Sequence, residues 1–356
     1  MAQDRFHELT VSGVRPQTDK ATAIRLDLPD ALKSEFAFKP GQYLTVRANL
    51  DGEEVRRSYS ICCRPDDGLE IGVKHLEGGV FSSFAQGLKT GDRIEVMAPK
   101  GRFVAETGGT HDYLLVAAGS GITPVLSIVK TVLRDEPDST VTLVYANRNF
   151  DSVMFRDDLD ALKDTYLARL SLLHVISEEG QDADILSGRI DAARLKDMKQ
   201  RGLIDPARYD AVYLCGPAPM IKTLRSALTD MGVAFDKIRF EVFTPTPYGK
   251  PGGKHAPPRP DLTGSEVEII LDGARRKLRV DPSAETVLGA AMAAGLEIPH
   301  SCAGGMCCTC RCKVLKGSAT MDQNWSLQPW ELEAGYILAC QARPETERLV
   351  LDFDAT

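Results

Sequence analysis

Cys302-Ala303-Gly304-Gly305-Met306-Cys307-Cys308-Thr309-Cys310, followed thirty residues later by Cys340, is the stretch that decides how this chain is built. The spacing C-x4-C-x2-C with a distant fourth cysteine is the plant-type ligand pattern of a [2Fe–2S] cluster. Three thiolates on one short loop must wrap a small cluster, so Gly304 and Gly305 permit a tight backbone and a close approach. Backbone N–H groups of such a loop can bond the sulfurs and tune the potential. The expected metal ligands are therefore Cys302, Cys307, Cys310 and Cys340. Structural zinc is the competing reading, but zinc favours paired C-x2-C hooks or histidines, and the first gap here is four residues. Taking Cys308 as a ligand gives gaps of five and one, which fits no such pattern. Cys308 and Cys312 read as small packing residues or free thiols.

Outward from the cysteines, the third unit, 263–356, opens on the alternating run Val267-Glu268-Ile269-Ile270-Leu271. Before it, Thr244-Pro245-Thr246-Pro247 to Pro260 is rich in Pro, Gly, Lys and His and lacks apolar periodicity. That composition reads as an exposed linker over 244–262. Residues 108–243 alternate two patterns. Tyr113 to Ala118 is a continuous apolar run, as in a buried parallel strand. Val141–Tyr145, Leu170–Ile176 and Ala211–Cys215 are further strands, and Pro124–Arg134, Phe155–Tyr166 and Ala218–Met231 look helical. Alternating β and α elements imply a parallel sheet with crossover helices. Residues 1–107 show period-two alternation at Val11–Val14, Thr22–Leu26, Tyr43–Arg47 and Arg93–Met97. Turn signals such as Lys39-Pro40-Gly41 and Thr90-Gly91-Asp92 separate these runs, as in a sandwich or barrel.

Composition narrows the classes. Of 356 residues, 43% are hydrophobic and 26% charged, which excludes a wholly disordered chain. No apolar run approaches the ~20 residues that cross a bilayer, so no membrane partner is expected. The net charge of −7 speaks against nucleic acid as a partner, which calls for a basic face. The start, Met1 to His7, lacks the apolar core of a signal peptide, so the cytoplasm is the expected compartment. There, six of nine cysteines clustered between Cys302 and Cys340 point to metal or catalysis, not to disulfides.

Four further motifs concern nucleotides. Gly119-Ser120-Gly121-Ile122-Thr123-Pro124 ends the buried strand and opens a helix, the context of a loop that approaches a phosphate. It is G-x-G-x-x-P, which departs from the Rossmann pattern. Cys215-Gly216-Pro217-Ala218-Pro219-Met220 ends another strand, so both loops belong to the carboxyl edge where open α/β sheets bind ligands. Cys215 is equally consistent with a buried small hydrophobe. Arg148, after the second strand, suits a 2′-phosphate and hence NADPH, or is simply a surface arginine. In the first unit, Arg57-Ser58-Tyr59-Ser60 offers a fork for a flavin phosphate, a ring for the isoalloxazine and a hydroxyl near N5. Gly78-Gly79-Val80-Phe81-Ser82 follows Val73-Lys74-His75 and opens a helix. Each piece alone is common; their order is specific.

In that order the motifs resemble the ferredoxin–NADP⁺ reductase superfamily with a C-terminal plant-type ferredoxin fused on. Phe38-Lys-Pro-Gly-Gln-Tyr43, Arg57-Ser-Tyr-Ser-Ile61, Met154-Phe-Arg156, Leu214-Cys-Gly-Pro217 and Gly335-Tyr-Ile-Leu-Ala-Cys340 also carry the resemblance, which covers essentially the whole chain. It implies a Greek-key β-barrel for FAD (1–107), an α/β parallel-sheet domain for NADPH (108–243) and an α+β β-grasp ferredoxin domain (263–356). The implied FAD residues are Arg57, Tyr59, Ser60, Val73, Lys74 and His75, with Gly79, Val80, Phe81 and Ser82 at the phosphates. The implied nicotinamide residues are Gly119, Gly121, Thr123, Pro124, Arg148, Cys215, Gly216, Pro217 and Met220. Glu241 and Phe243 would close the flavin site, and Ser60, Cys215 and Glu241 would stand at the reacting atoms. Members often have Ala at the position of Cys308, so that thiol is a departure.

A nicotinamide releases two electrons together and a [2Fe–2S] cluster accepts one; a flavin bridges the two. The expected function is an NADPH-dependent reductase that feeds the di-iron oxygenase of a multicomponent enzyme, docking transiently through the ferredoxin domain. The alternatives keep the chemistry and change the acceptor to a Rieske or other oxygenase or a hybrid-cluster protein. A redox sensor or iron–sulfur carrier would not need both nucleotide motifs.

Overall fold

The computed structural model of the chain describes residues 5–243, 264–281 and 285–355. The stretch 244–262 read as a linker lies outside the described residues. Residues 5–243 form one compact unit and 264–355 belong to another.

The larger unit begins with an antiparallel sheet of β1 (Phe6–Thr18), β2 (Ala21–Asp27), β3 (Tyr43–Leu50), β4 (Glu53–Ser60), β5 (Leu69–Lys74) and β6 (Arg93–Met97), in the order β4-β3-β6-β1-β2-β5. Its two edges meet. Ile61, just past β4, bridges Ile71 on β5, and the Cys62 N–H donates to Glu70 O at 2.9 Å. The sheet thus closes on itself, which removes exposed strand edges. Alternate residues Leu9, Val11, Ile24, Leu26, Leu44 and Val46 fill its interior. A short helix, α1 (Val80–Gln86), follows β5.

The second half is a parallel sheet of β7 (Asp112–Ala118), β8 (Thr140–Asn147), β9 (Leu170–Ile176), β10 (Ala211–Gly216) and β11 (Ile238–Val242), in the order β11-β10-β7-β8-β9. The crossovers carry α2 (Ile122–Asp135), α3 (Arg156–Thr165), α4 (Ala192–Gln200) and α5 (Ala218–Asp230). After β7 the chain moves one way to β8, whereas β10 lies on the other side. The crevice at the ends of β7 and β10 is therefore the topological switch point. Helix α2 starts two residues earlier than Pro124, because Gly119–Gly121 forms a 3-10 turn that runs straight into it. Nearly all of α2 is buried, as expected of a helix packed on both faces. One face covers the parallel sheet and the other meets the barrel, where Ser127 Oγ donates to Cys63 O at 2.6 Å. Asp158 of α3 also joins the halves, accepting from Arg15 and Lys130, each at 2.7 Å. Burial raises the Asp158 carboxyl, but these two cations outweigh it and hold the pKa below its ordinary value.

The smaller unit has a mixed sheet of β12 (Ser265–Leu271), β13 (Ala274–Val280), β14 (Arg311–Lys316), β16 (Tyr336–Leu338) and β18 (Arg348–Asp352), in the order β13-β12-β18-β14-β16. β15 (Ala319–Met321) pairs with β17 (Ala342–Pro344), and α6 (Val287–Ala293) and α7 (Pro329–Glu333) complete the unit. β12 and β18 are parallel and the helix α6 packs into the core beneath the sheet, an α+β arrangement. Among the described residues no helix is long and apolar enough to cross a membrane.

Candidate functional site

The carboxyl edge of β7 and β10 gathers most of the nucleotide motifs. Gly119 has φ +53°, a left-handed conformation that a glycine adopts at little cost. Its carbonyl accepts from the Tyr145 hydroxyl at 3.0 Å. Thr123 is buried and its Oγ1 donates to Ser120 O at 3.0 Å, which ties the loop to the first turn of α2. Gly121 lies directly against the backbone of Cys215: a methyl there would overlap Cys215 O and stand 2.7 Å from Cys215 C. The two loops are in backbone contact, and no side chain fits between them. Cys215 is fully buried, and burial, then the neighbouring Glu241 carboxylate, push its thiol well above the ordinary range. It is a neutral thiol at the end of β10. Glu241 is its register partner on β11. Phe243 N–H donates to Gly216 O at 2.8 Å, so Phe243 closes the same edge. Pro124 is buried in α2, Pro217 caps α5, and Met220 lies over Gly216.

The barrel side of this crevice comes from β5. A methyl on Gly72 would lie 2.5 Å from Thr123 Cγ2 and 3.0 Å from the Phe155 ring, so only glycine lets β5 approach so closely. Lys74 Nζ reaches toward Gly119, 3.6 Å from where that residue's Cβ would stand. Burial, then the like charges of Arg148 and Lys20, lower the Lys74 pKa. Lys74 thus stands at the Gly119 loop within the influence of two further cations, an arrangement that suits an anion. Arg148 itself is exposed at the end of β8.

On the barrel, β4 carries Arg57, Tyr59 and Ser60. Arg57 donates to Arg56 O at 2.7 Å, and burial pushes the Tyr59 hydroxyl pKa up. The Tyr59 ring packs at 5.5 Å on Phe81. Val73 and Phe81 point into the barrel core, so their side chains are structural and only their backbone is left for a cofactor. Ser82 Oγ accepts from Leu76 N at 3.1 Å and donates to Gly79 O at 3.0 Å, which fixes the start of α1 at Val80. His75 Nε2 pairs with Ser83 Oγ at 3.2 Å. The sequence singled out Lys74 with the flavin motif; the structure puts it at the Gly119 loop. It also adds two residues to the site. Phe155 stands at φ +58°, unusual for an aromatic residue, with its N–H held by Gln17 Oε1 at 3.0 Å. Tyr145 holds the Gly119 carbonyl. Met154-Phe-Arg156 marked the first as a motif; nothing in the sequence marked the second.

In the smaller unit the cysteine loop is already shaped around sulfur. Gly304 N–H and Cys307 N–H both donate to Cys302 Sγ at 3.4 Å, and Cys302 N–H donates to Cys307 Sγ at 3.5 Å. The four thiols lie close enough to influence one another, Cys302 most strongly with Cys307 and Cys310 most strongly with Cys340. Among the described residues no three Cys, His, Asp or Glu groups converge as a single ion requires. Four neighbouring thiols would suit a two-iron group, to which they would supply soft thiolate ligands. The bond to Cys307, then burial, push Cys302 well up, and the bond from Cys302 draws Cys307 down to about 6. Cys312 is buried under β14 with its thiol pushed up, a packing residue. Cys308 is half-buried at φ +59°.

A closed antiparallel sheet, a parallel sheet with its glycine loops at the switch point and a cysteine-rich α+β unit define a modular flavin, nicotinamide and iron–sulfur oxidoreductase. Residues 14–104 match the oxidoreductase FAD-binding domain, 115–226 the oxidoreductase NAD-binding domain and 269–345 the 2Fe-2S iron-sulfur cluster binding domain. The chain is 43% identical over 356 residues to a component of the 1,2-phenylacetyl-CoA epoxidase of Escherichia coli K12, covering 98% of each. It belongs to that family of NAD(P)H-dependent oxidoreductases. It is also 36% identical over 353 residues to the ferredoxin reductase component of 3-ketosteroid-9-alpha-monooxygenase from Rhodococcus rhodochrous, covering 97% of this chain and 96% of that one. Phthalate dioxygenase reductase shares the fold, with a TM-score of 0.60 at 24% identity over 98% of both chains.

Proposed function

We propose that this chain is the reductase of a phenylacetyl-CoA epoxidase, moving electrons from NADPH by way of FAD and a [2Fe–2S] cluster to a di-iron oxygenase. The single observation that carries this reading is the 43% identity to the E. coli epoxidase component, spread over 98% of both chains with all three domains present. We take 1–107, 108–243 and 263–356 as its working domains, with 244–262 between them. The reading puts the chain in the cytoplasm, where thiols stay reduced.

The cofactors supply the electron chemistry; the residues bind and orient them. Gly119, Gly121 and Thr123 would hold the nicotinamide end beside Cys215, a thiol kept neutral by burial and by Glu241. Arg57, Tyr59 and Ser60 on one strand would hold the flavin. Cys302, Cys307, Cys310 and Cys340 would hold the cluster as thiolates. An anaerobic titration with NADPH and NADH in parallel tests the chain of transfer. Bleaching of both flavin and iron–sulfur bands supports it, and a protein without a visible chromophore sinks it. Turnover with a phenylacetyl-CoA oxygenase, compared with the oxygenase of a 3-ketosteroid-9-alpha-monooxygenase, tests the acceptor. The second acceptor is favoured only by the 36% identity to the R. rhodochrous protein.

Arg148, an exposed cation close enough to lower the Lys74 pKa, supports NADPH over NADH. Arg148→Gln should raise KM for NADPH about tenfold, the value of one charge-assisted phosphate contact, and leave NADH almost unchanged. Equal effects on both nucleotides would remove Arg148 from the phosphate site.

Docking of the oxygenase on the ferredoxin domain has its own support. Trp325 and Trp330 are 38% and 59% exposed, and Trp325 N–H donates to Gly305 O on the cysteine loop at 3.1 Å. Large exposed aromatic side chains are the usual anchors of an interface. Trp330→Ala should raise KM for the oxygenase about fivefold, some 1 kcal/mol, with NADPH–ferricyanide activity intact. An unchanged KM would remove Trp330 from the docking face.

A further inference from the structure

Gln341 follows the fourth cysteine and is only 5% exposed. Its Nε2 donates to Ala303 O and to Cys340 O, each at 3.0 Å, and lies 3.6 Å from Cys340 Sγ. All three neighbours are acceptors, so the nitrogen, and not the amide oxygen, faces them. Ala303 sits between the first cysteine and the glycines of the loop at φ +48°, a conformation that costs a residue with a side chain about 1 kcal/mol or more. The backbone of Gln341 is fixed as well: its N–H donates to Leu338 O and its carbonyl accepts from Asp322 N, both at 2.9 Å. Its Cγ stands 3.1 Å from where a Cβ on Gly305 would be, so the glycine leaves room for the side chain. One buried amide therefore ties the loop of the first three cysteines to the strand end of the fourth, with a donor beside a ligand sulfur.

We propose that Gln341 is a positioning residue of the iron–sulfur site that also sets how readily the site accepts an electron. The proposal rests on the reading that Cys302, Cys307, Cys310 and Cys340 hold a [2Fe–2S] cluster. Reduction adds negative charge that spreads onto the sulfurs, and an amide whose two protons serve two carbonyls and share one with a ligand sulfur favours the reduced form. The two carbonyl contacts hold the amide in place, so little reorganisation accompanies the electron.

The test uses the full-length holoprotein, poised against redox dyes and followed by absorbance and EPR. In the unaltered protein a reduced [2Fe–2S] signal must be present; its absence sinks the cluster reading itself, before Gln341 is in question. Gln341→Met keeps the volume and removes the donors. At a fixed dye ratio it should lower the reduced-to-oxidised ratio about tenfold, or ~59 mV for one electron. Gln341→Lys keeps a donor and adds a positive charge, and should move the ratio the other way. Opposite signs are the expected result, because a packing role alone cannot produce them. A ratio within twofold of the unaltered protein in both loaded variants, or a shift of both in the same direction, overturns the proposal. So does failure of both to hold iron, which would make Gln341 a packing residue. If only one variant loads, its sign decides: the Met variant must fall or the Lys variant rise.

Discussion

Gly121→Ala is expected to stop NADPH from reducing the flavin while leaving FAD on the protein. The residue has ordinary helical angles, φ −61° and ψ −8°, so backbone strain is not the reason. The reason is space. A methyl group would overlap Cys215 O and stand 2.7 Å from Cys215 C and 3.1 Å from Gly216 N. These are backbone atoms of β10, held by parallel pairing to β7 on one side and β11 on the other, and they cannot swing aside as a side chain can. The loop of Gly119–Gly121 must move away from the Cys215–Pro217 loop, and the crevice between them opens. A displacement of about 1 Å in a hydride-transfer geometry costs about 100-fold in rate. Overpacking of this kind also costs about 1–3 kcal/mol of stability. Stopped-flow flavin reduction reads the first effect and thermal unfolding the second. Gly180→Ala is the control, because no atom lies within 4 Å of the added methyl. A Gly121→Ala protein that reduces its flavin at the unaltered rate would show that the two loops do not jointly hold the nicotinamide.

Much of this site is legible in the chain. The loops at Gly119 and Cys215 each end an apolar run and begin a helix, and those local patterns survive folding. The cysteine spacing is legible for the same reason, since three of the four sulfurs share nine residues. What the sequence does not display are approaches between distant segments. Gly72 reads as one more small residue in a strand until β5 is seen against Thr123 and Phe155. Val73 and Lys74 are neighbours in a motif, yet the pleat sends one into the barrel core and the other toward Gly119. Phe155 looks like the first residue of a helix; a backbone bond to Gln17, 138 residues away, accompanies its left-handed turn just before α3. Helix α4 has few buried side chains, Leu195 and Met198, and so leaves little periodicity to read. Gln341 belongs with these. Its importance lies in a contact with Ala303, 38 residues earlier, that no spacing rule describes.

The four cysteines should separate cleanly from the other two in their cluster. Cys310→Ser is expected to remove the [2Fe–2S] absorbance and reduce oxygenase-coupled turnover to background, with NADPH–ferricyanide activity retained through the flavin. The thiol of Cys310 is buried beside Cys340, so its removal would take one of the four expected ligands from the cluster. Serine is a poor substitute, being a hard oxygen ligand where soft thiolate is needed. Because ligand binding is also folding energy, the unit 264–355 should unfold at lower temperature, while the unit 5–243 should keep its transition. Cys312→Ala should behave oppositely. Its side chain lies in the core under β14 with its sulfur 3.9 Å from Ile337 O, so the cluster should stay and stability fall by about 1 kcal/mol. Cys308→Ala removes a half-buried thiol at φ +59° that the ligand spacing leaves out, and should leave both cluster and activity as they are. Iron content and EPR across the series decide the matter. Loss of the cluster in Cys308→Ala with retention in Cys307→Ser would reassign the second ligand of the expected iron–sulfur site.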